Sequence, residues 1–229
     1  MAERVLVVAA HPDDELLGVG GTLARHSAMG DAVNILILAE GVTARHGTRE
    51  RSAGEGDIAA LMDAARSAAR LVGAAEPRFA GFPDNRMDEV ALLDVVKCVE
   101  QCLSELHPSI VYTHYAGDLN IDHQIACQSV VTACRPLPGT SVRAIYAYET
   151  LSSTEWAAPL EPVFAPNRFV DISNYLEVKL RALDFYRGEM RAFPHPRSRE
   201  AVAALAHDRG ASIGVDAAEA FMVLRETVL

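Results

Sequence analysis

The chain has 229 residues, half of them hydrophobic and 23% charged, a composition that sustains a sizeable core and excludes disordered, collagen-like and fibrous classes. Its 21 Lys and Arg are outnumbered by 31 Asp and Glu, and the net charge of −10 repels phosphate backbones and anionic lipid surfaces. Neither nucleic acid nor a membrane is therefore expected as a partner.

Arg4–Ala10 (RVLVVAA) is a short β-branched run that predicts a buried first strand, stopped by His11-Pro12-Asp13-Asp14. It is too short for the core of a signal peptide, and no apolar stretch approaches the roughly 18 residues of a membrane span. A cytoplasmic protein is expected. Gly20 to Met29 reads as a helix and Val33–Ala39 (VNILILA) as the second strand. Arg51 to Val72 is Ala-rich, with Ile58, Leu61, Met62 and Leu71 at helical spacing, and Arg78–Phe82 is a weak third strand. Leu92–Leu106 carries Leu92, Val95, Val96, Val99 and Leu103 on one helical stripe. Ser109–Thr113 predicts the fourth strand, Asp122–Cys134 a helix and Val142–Tyr148 the fifth strand. Glu149 to Asn167, with Pro159, Pro162 and Pro166, reads as an irregular excursion, and Val178–Arg191 and Ser198–Arg209 as closing helices. The four cysteines form no Cys-x-x-Cys and read as small buried hydrophobes.

Alternating strands and helices require crossovers between parallel strands, so the expected architecture is a doubly wound α/β fold, a mostly parallel sheet with helices on both faces. A single domain over residues 1–229, less regular in its C-terminal third, is expected. In such sheets ligands sit beyond the carboxyl ends of the strands. Two polar clusters fall there: His11-Pro12-Asp13-Asp14-Glu15 after strand one, and His114 to His123 after strand four. An imidazole and a carboxylate from the first loop with an imidazole from the second make a two-His, one-carboxylate metal site with positions left for water. Adjacent aspartates in an extended loop point apart, so one can bind metal while the other takes a proton. The plainer alternative is that the acids cap helices, with Asp122 an N-cap or first-turn acid. Two like charges side by side after Pro12 favour the site, because they need a compensating cation.

Ala10-His11-Pro12-Asp13-Asp14-Glu15, followed by Gly18-Val19-Gly20-Gly21-Thr22 and later by Asp122-His123, resembles the signature of the LmbE-like/PIG-L zinc N-deacetylases. The resemblance implies a Rossmann-like fold, one Zn2+ per chain, and removal of an acetyl group from an N-acetylated amino sugar or glycoside. By position, it implies His11, Asp14 and His123 as metal ligands, Asp13 as general base, and Glu40, Arg49 and Asp84 as lining a small-molecule sugar pocket. Glu15 is expected to support the loop by hydrogen bonding.

The sequence departs from the family pattern where many members carry a histidine three residues before the second histidine ligand, oriented by the intervening aspartate, here Asp122; Asn120 stands in its place. An amide cannot donate a proton to the leaving amine, though it can hydrogen-bond a developing oxyanion. The general acid is therefore open between Asp13 acting twice, His195 in Phe193-Pro194-His195-Pro196, and His114. Lys179 to Leu183 matches a Lys-x-x-Ala-Leu helix of the family, but Tyr186-Arg187-Gly188-Glu189 replaces its usual continuation, which suggests a rebuilt pocket end. Competing readings are a non-haem Fe(II) enzyme with the same ligand set, a dinucleotide-binding domain, which lacks the third glycine at Leu23, and a metal-free sugar-binding relative. The choice of zinc or iron, and whether copies assemble into a homo-oligomer, are open.

Overall fold

A computed structural model describes residues 2–42, 51–158 and 163–228. The chain runs β1 (Arg4–Ala9), α1 (Asp14–Ala28), β2 (Ala32–Ala39), α2 (Arg51–Val72), β3 (Arg78–Phe82), α3 (Leu92–Leu106), β4 (Ile110–His114), α4 (Ile121–Ala133), β5 (Ala144–Tyr148), β6 (Arg168–Asp171), α5 (Leu176–Leu183), α6 (Arg199–Ala211) and β7 (Ala218–Glu226). One seven-stranded sheet in the order β3-β2-β1-β4-β5-β7-β6 holds these strands together. β1 to β5 are mutually parallel, with Val5 opposite Val33 on one side and Ile110 on the other, while β7 runs antiparallel to both β5 and β6. This is the mostly parallel α/β architecture expected from the alternation.

The strand period of two explains why β1 lacks polar residues between Val5 and Ala9. Val5, Val7 and Ala9 pack into a core with Leu16 and Leu23 of α1, Ala65 of α2 and Leu183 of α5. Leu6 and Val8, pointing the other way, pack with Val95 and Val99 of α3 and Val130 of α4. A strand covered on both faces has no reason to alternate polar with apolar residues. Among the described residues no helix is long and apolar enough to cross a membrane. The cysteines are free thiols; Cys102, Cys127 and Cys134 are buried as expected, whereas Cys98 is only half-buried.

Two elements differ from the sequence expectation. α1 begins at Asp14, six residues before the expected Gly20, so the glycines lie inside the helix. They are there for packing: a Cβ on Gly18 would lie 2.2 Å from the Tyr148 ring, and one on Gly21 2.7 Å from Ile172. The second difference is the C-terminal third. The expected helix over 178–191 ends at Leu183, and the chain carries two strands, β6 and β7, that the sequence reading did not propose. β6 has only four residues, too few for a period to register, and each strand takes its pairing from partners far along the chain.

Candidate active site and metal centre

β1 lies between β2 and β4, so the connections leaving it diverge and open a crevice at its carboxyl end. The loop after β1 delivers His11, Asp13 and Asp14 to this crevice, and the N-terminus of α4 delivers Asp122 and His123. Ligand atoms from His11, Asp14 and His123 all lie within 4.8 Å of one another. Asp14 Oδ2 is 3.3 Å from His11 Nδ1 and 3.2 Å from His123 Nε2. The two imidazole centroids are 5.4 Å apart.

Each histidine is held by a carboxylate on its far nitrogen. His123 Nδ1 donates to Asp118 Oδ1 at 3.0 Å, which leaves the lone pair on Nε2. Asp118 is fixed in turn by the Ser153 hydroxyl, by Thr154 Oγ1 at 2.5 Å and by the backbone N–H of Asn120. His11 Nε2 donates to Asp122 Oδ2 at 3.0 Å, which turns its Nδ1 toward Asp14. Asp122 also accepts the backbone N–H groups of Asn85 and Met87, drawing the loop after β3 against the site. The cap of α4 is Asn120, whose Oδ1 accepts from Asp122 N, while its Nδ2 donates to Asn85 Oδ1. Both ends of the Asn120 amide thus serve the loop, and Asp122 is the first-turn acid.

Two buried atoms among these groups have no hydrogen-bond partner: Asp14 Oδ1 and His123 Nε2. Leaving such atoms unpaired is costly unless something else binds them. The charge balance points the same way. Asp13, Asp14, Glu15, Asp84, Asp118 and Asp122 are each no more than 3% exposed, and the guanidinium that reaches into this group belongs to Arg197. Burial opposes charge on His11, yet its bonds to Asp122 and Asp14 raise its pKa to about 10. The residues fit a cation.

Asp13 and Asp14 take different partners, Asp13 the Arg197 guanidinium and Asp14 the two histidines. The backbone of Asp13 sits at φ 109°, a strained conformation for a residue with a Cβ and one that clusters at functional sites. Arg197 holds it, donating to Asp13 Oδ2 at 2.7 Å and through Nε to Ser152 Oγ at 2.8 Å, with Glu189 a further 3.7 Å contact of the same guanidinium. Burial raises the Asp13 pKa well above its ordinary value, against the pull of Arg197. Glu15 supports the turn as expected: it accepts the Asp13 N–H and the Tyr186 hydroxyl. The replaced segment Tyr186 to Glu189 therefore touches the acidic loop through Tyr186 on Glu15, while Glu189 contacts Arg197, which holds Asp13.

His114 is fully buried and stacked on His123, with centroids 3.9 Å apart. Its Nε2 accepts the Ala10 N–H at 2.9 Å, so its one proton sits on Nδ1, toward Thr150. Burial and the neighbouring His123 hold its pKa well below the ordinary value, and its one proton is directed at Thr150. His195 is half-buried; its Nδ1 accepts the Arg197 N–H at 3.0 Å and its ring meets Trp156 edge-to-face. Asp84 is buried with Oδ1 3.3 Å from His11 Nε2, closer to the ligands than a sugar-lining role alone suggests. Glu40 is buried at the end of β2, its backbone N–H bonded to Phe82 O. Arg49 lies outside the described residues. The sequence reading missed Asp118 and Arg197. Asp118 carried a signal, standing five residues before His123 in the same polar loop, whereas the 184 residues between Arg197 and Asp13 left none.

Fold and site together define a doubly wound α/β protein with a candidate two-histidine, one-carboxylate metal centre at its switch point. Residues 6–134, more than half of the chain, match the PIG-L family, described as GlcNAc-PI de-N-acetylase, and the chain belongs to this family. It is 29% identical over 185 residues to the Escherichia coli (strain K12) protein named "Uncharacterized deacetylase YaiS", covering 78% of this chain and 88% of that one. Two solved structures share the fold. N,N′-diacetylchitobiose deacetylase from Pyrococcus horikoshii superposes with a TM-score of 0.77 at 23% identity, over 98% of this chain and 84% of that one. GalB, the 4-carboxy-2-hydroxymuconate hydratase from Pseudomonas putida KT2440, also gives 0.77, at 22% identity over 99% and 98%.

Proposed function

We propose that this chain is a zinc-dependent N-deacetylase that removes an acetyl group from the amide nitrogen of an N-acetylated amino sugar or glycoside. The observation that carries this reading is the convergence of ligand atoms of His11, Asp14 and His123 within 4.8 Å of one another, with His123 Nε2 and Asp14 Oδ1 buried and without a hydrogen-bond partner. His11, Asp14 and His123 would hold one zinc ion per chain. Zinc supplies Lewis acidity, polarising an amide carbonyl and lowering the pKa of water to roughly 7. Membership of the PIG-L family supports both the reaction and the amino-sugar substrate.

The remaining work falls to the chain's own side chains. Asp13 takes a proton from the attacking water, and Arg197 keeps its carboxylate aimed into the crevice. The oxygen adds to the amide carbon, the C–N bond breaks, and Asp13 returns the proton to the departing amine as acetate is released. Asp13 acts twice because the one proton of His114 is directed at Thr150 and Asn120 spends its amide on the α4 cap and on Asn85. Asp122 positions His11 and anchors the loop after β3. His195 braces the backbone at Arg197. Glu40, Arg49 and Asp84 are assigned to sugar hydroxyls, the two carboxylates being buried acceptors at the ends of β2 and β3.

Because the same fold carries a hydratase, the reaction has to be read from the products and not from the fold. The test is acetate release over a panel of N-acetyl sugars and their glycosides, before and after chelation, with zinc or ferrous iron restored and oxygen uptake followed in parallel. Expected are metal-dependent acetate release, restoration by zinc and no oxygen uptake. Zinc-loaded protein that releases acetate from no sugar overturns the proposal.

A further inference from the structure

We infer that the buried pair Lys179–Glu219 is a positioning device for the turn Asp13–Leu17: inserted at one rung of α1, it sets the aim of Asp14 from α5 and β7 instead of from the rest of the helix. This rests on the reading of Asp14 as a metal ligand. α1 carries Gly18, Gly20 and Gly21 in its interior, where each glycine weakens a helix. Gly20 is bare where the Lys179 stem crosses it: a Cβ there would lie 3.2 Å from Lys179 Cγ, tighter than an ordinary contact.

In an unbroken α-helix the Gly21 N–H bonds Leu17 O and the Thr22 N–H bonds Gly18 O. Here partners from outside the helix stand on both sides of that rung. Glu219 Oε1 accepts the Gly21 N–H at 2.9 Å and Oε2 the Thr22 N–H at 2.7 Å, while Lys179 Nζ donates to Leu17 O at 2.8 Å. The ammonium and the carboxylate close on each other at 2.7 Å. A carboxylate across two successive N–H groups is the partner a helix start takes, and a cation on a carbonyl is the partner of a helix end. α1 thus contains a start and an end within its own length, and a single turn precedes them. Lys179 and Glu219 are both buried, so solvent does not replace either when it is removed.

That turn holds Asp14, and two cations of the C-terminal third bound it. Arg197 grips Asp13 at one end, and Lys179 grips Leu17 O at the other, three residues beyond Asp14. Between them the N–H groups of Leu16 and Leu17 close on Asp13 O at 3.0 and 2.9 Å, and Asp14 Oδ2 accepts the His11 N–H. A shift of Leu17 is passed through this turn to Asp14, whose Oδ2 must keep its place beside both His11 and His123.

Zinc affinity separates positioning from plain stability. The metal-free protein and its variants are titrated with zinc against a chromophoric chelator, at a temperature where circular dichroism shows each one folded. Urea unfolding of the same metal-free samples runs in parallel. Lys179→Met should raise the zinc Kd roughly 10- to 100-fold, the range for losing a group that orients a ligand. Adding Glu219→Gln should return part of the urea midpoint but not the zinc Kd, because Leu17 O still lacks its donor. Lys179→Arg, which keeps a donor there, should lose less affinity. Val99→Ala, a core change on the opposite face of the sheet, should lower the urea midpoint and leave the zinc Kd parental. If Lys179→Met does not fold, Glu219→Gln alone decides: its one amide oxygen serves fewer N–H groups than the carboxylate, so the zinc Kd should rise, though by less. A parental zinc Kd in Lys179→Met, or in Glu219→Gln where that variant decides, overturns the inference and leaves the metal centre standing. So does a zinc Kd that recovers in step with the urea midpoint in the double variant. Wild-type protein that binds no zinc overturns the metal centre, and the inference with it.

Discussion

Arg197→Ala removes the contact that most directly joins the C-terminal third to the chemistry. Arg197 donates to Asp13 at 2.7 Å, and Asp13 is only 2% exposed. Taking away one partner of a buried ion pair costs more than the pair contributes, because the other charge is left unsolvated. About 2–4 kcal/mol is expected here, reduced to the extent that Asp13 escapes by taking up a proton. In a chain of this length each kcal/mol moves Tm by about 2–4 °C, so Tm should fall by roughly 4–16 °C. The turn at Ser152 is released in the same step, which adds a positional effect on the base. A displacement of about 1 Å at a reacting group costs on the order of 100-fold, so kcat should fall about that far with KM little changed. Thermal denaturation and acetate release measure the two effects, and Arg197→Lys should restore part of each. Adding Asp13→Asn to Arg197→Ala should return much of the lost Tm, since a neutral amide no longer needs the guanidinium, and the double-mutant cycle gives the coupling. An Arg197→Ala protein with parental Tm and parental kcat would refute the reasoning.

Four further outcomes follow from the same contacts. Asp13→Asn should retain bound metal, measured by elemental analysis, and lose about 10²–10⁴-fold in kcat; parental turnover removes Asp13 as the base. His123→Ala should lose both metal and activity, whereas a variant that keeps stoichiometric zinc shows that His123 is not a ligand. Lys179→Met should be destabilised by about 3–5 kcal/mol, because Glu219 stays buried with Lys179 Nζ gone from 2.7 Å away, and Leu17 O loses its 2.8 Å donor. Adding Glu219→Gln should recover part of that loss in urea unfolding, and no recovery would show that the pair is not coupled. Hydrogen bonds from Arg143 and Ser109 hold the Glu3 pKa below its ordinary 4.5. A depressed carboxylate contributes stability that is full above its unfolded pKa and is lost as pH falls through the folded one. The Tm deficit of Glu3→Gln should thus shrink between pH 7 and pH 3, and a deficit independent of pH refutes the linkage.

The parallel half of the fold was legible in the sequence because its signals are local. Buried runs such as VLVVA and VNILILA and the apolar stripe of Leu92–Leu106 state their own periods, and short alternating elements leave few topologies. β6 and β7 state nothing comparable: β6 has four residues, and their antiparallel pairing is decided by partners elsewhere in the sheet. The glycines of α1 misled for a related reason. In isolation they lower helix propensity, and only the ring of Tyr148 and the side chain of Ile172, neither of them local, explain their place inside a helix.

The candidate site divides along the same line. His11, Asp13 and Asp14 stand within four residues after a strand, and Asp122-His123 opens a helix, so a candidate two-histidine, one-carboxylate set could be proposed from residue type and spacing. The division of roles between Asp13 and Asp14 came only from the family resemblance. What holds these residues in place could not be proposed in either way. The sequence by itself determined the strand-and-helix alternation and the donor set. Only the tertiary structure decided that Asp118 backs His123, that Asp122 and Asp84 converge on His11, and that an arginine 184 residues away grips Asp13. Ligand atoms are a property of side-chain type, which a sequence states outright. The carboxylates and guanidinium that orient them act through distances of about 3 Å between distant segments, and such distances exist only once the sheet has brought its loops together.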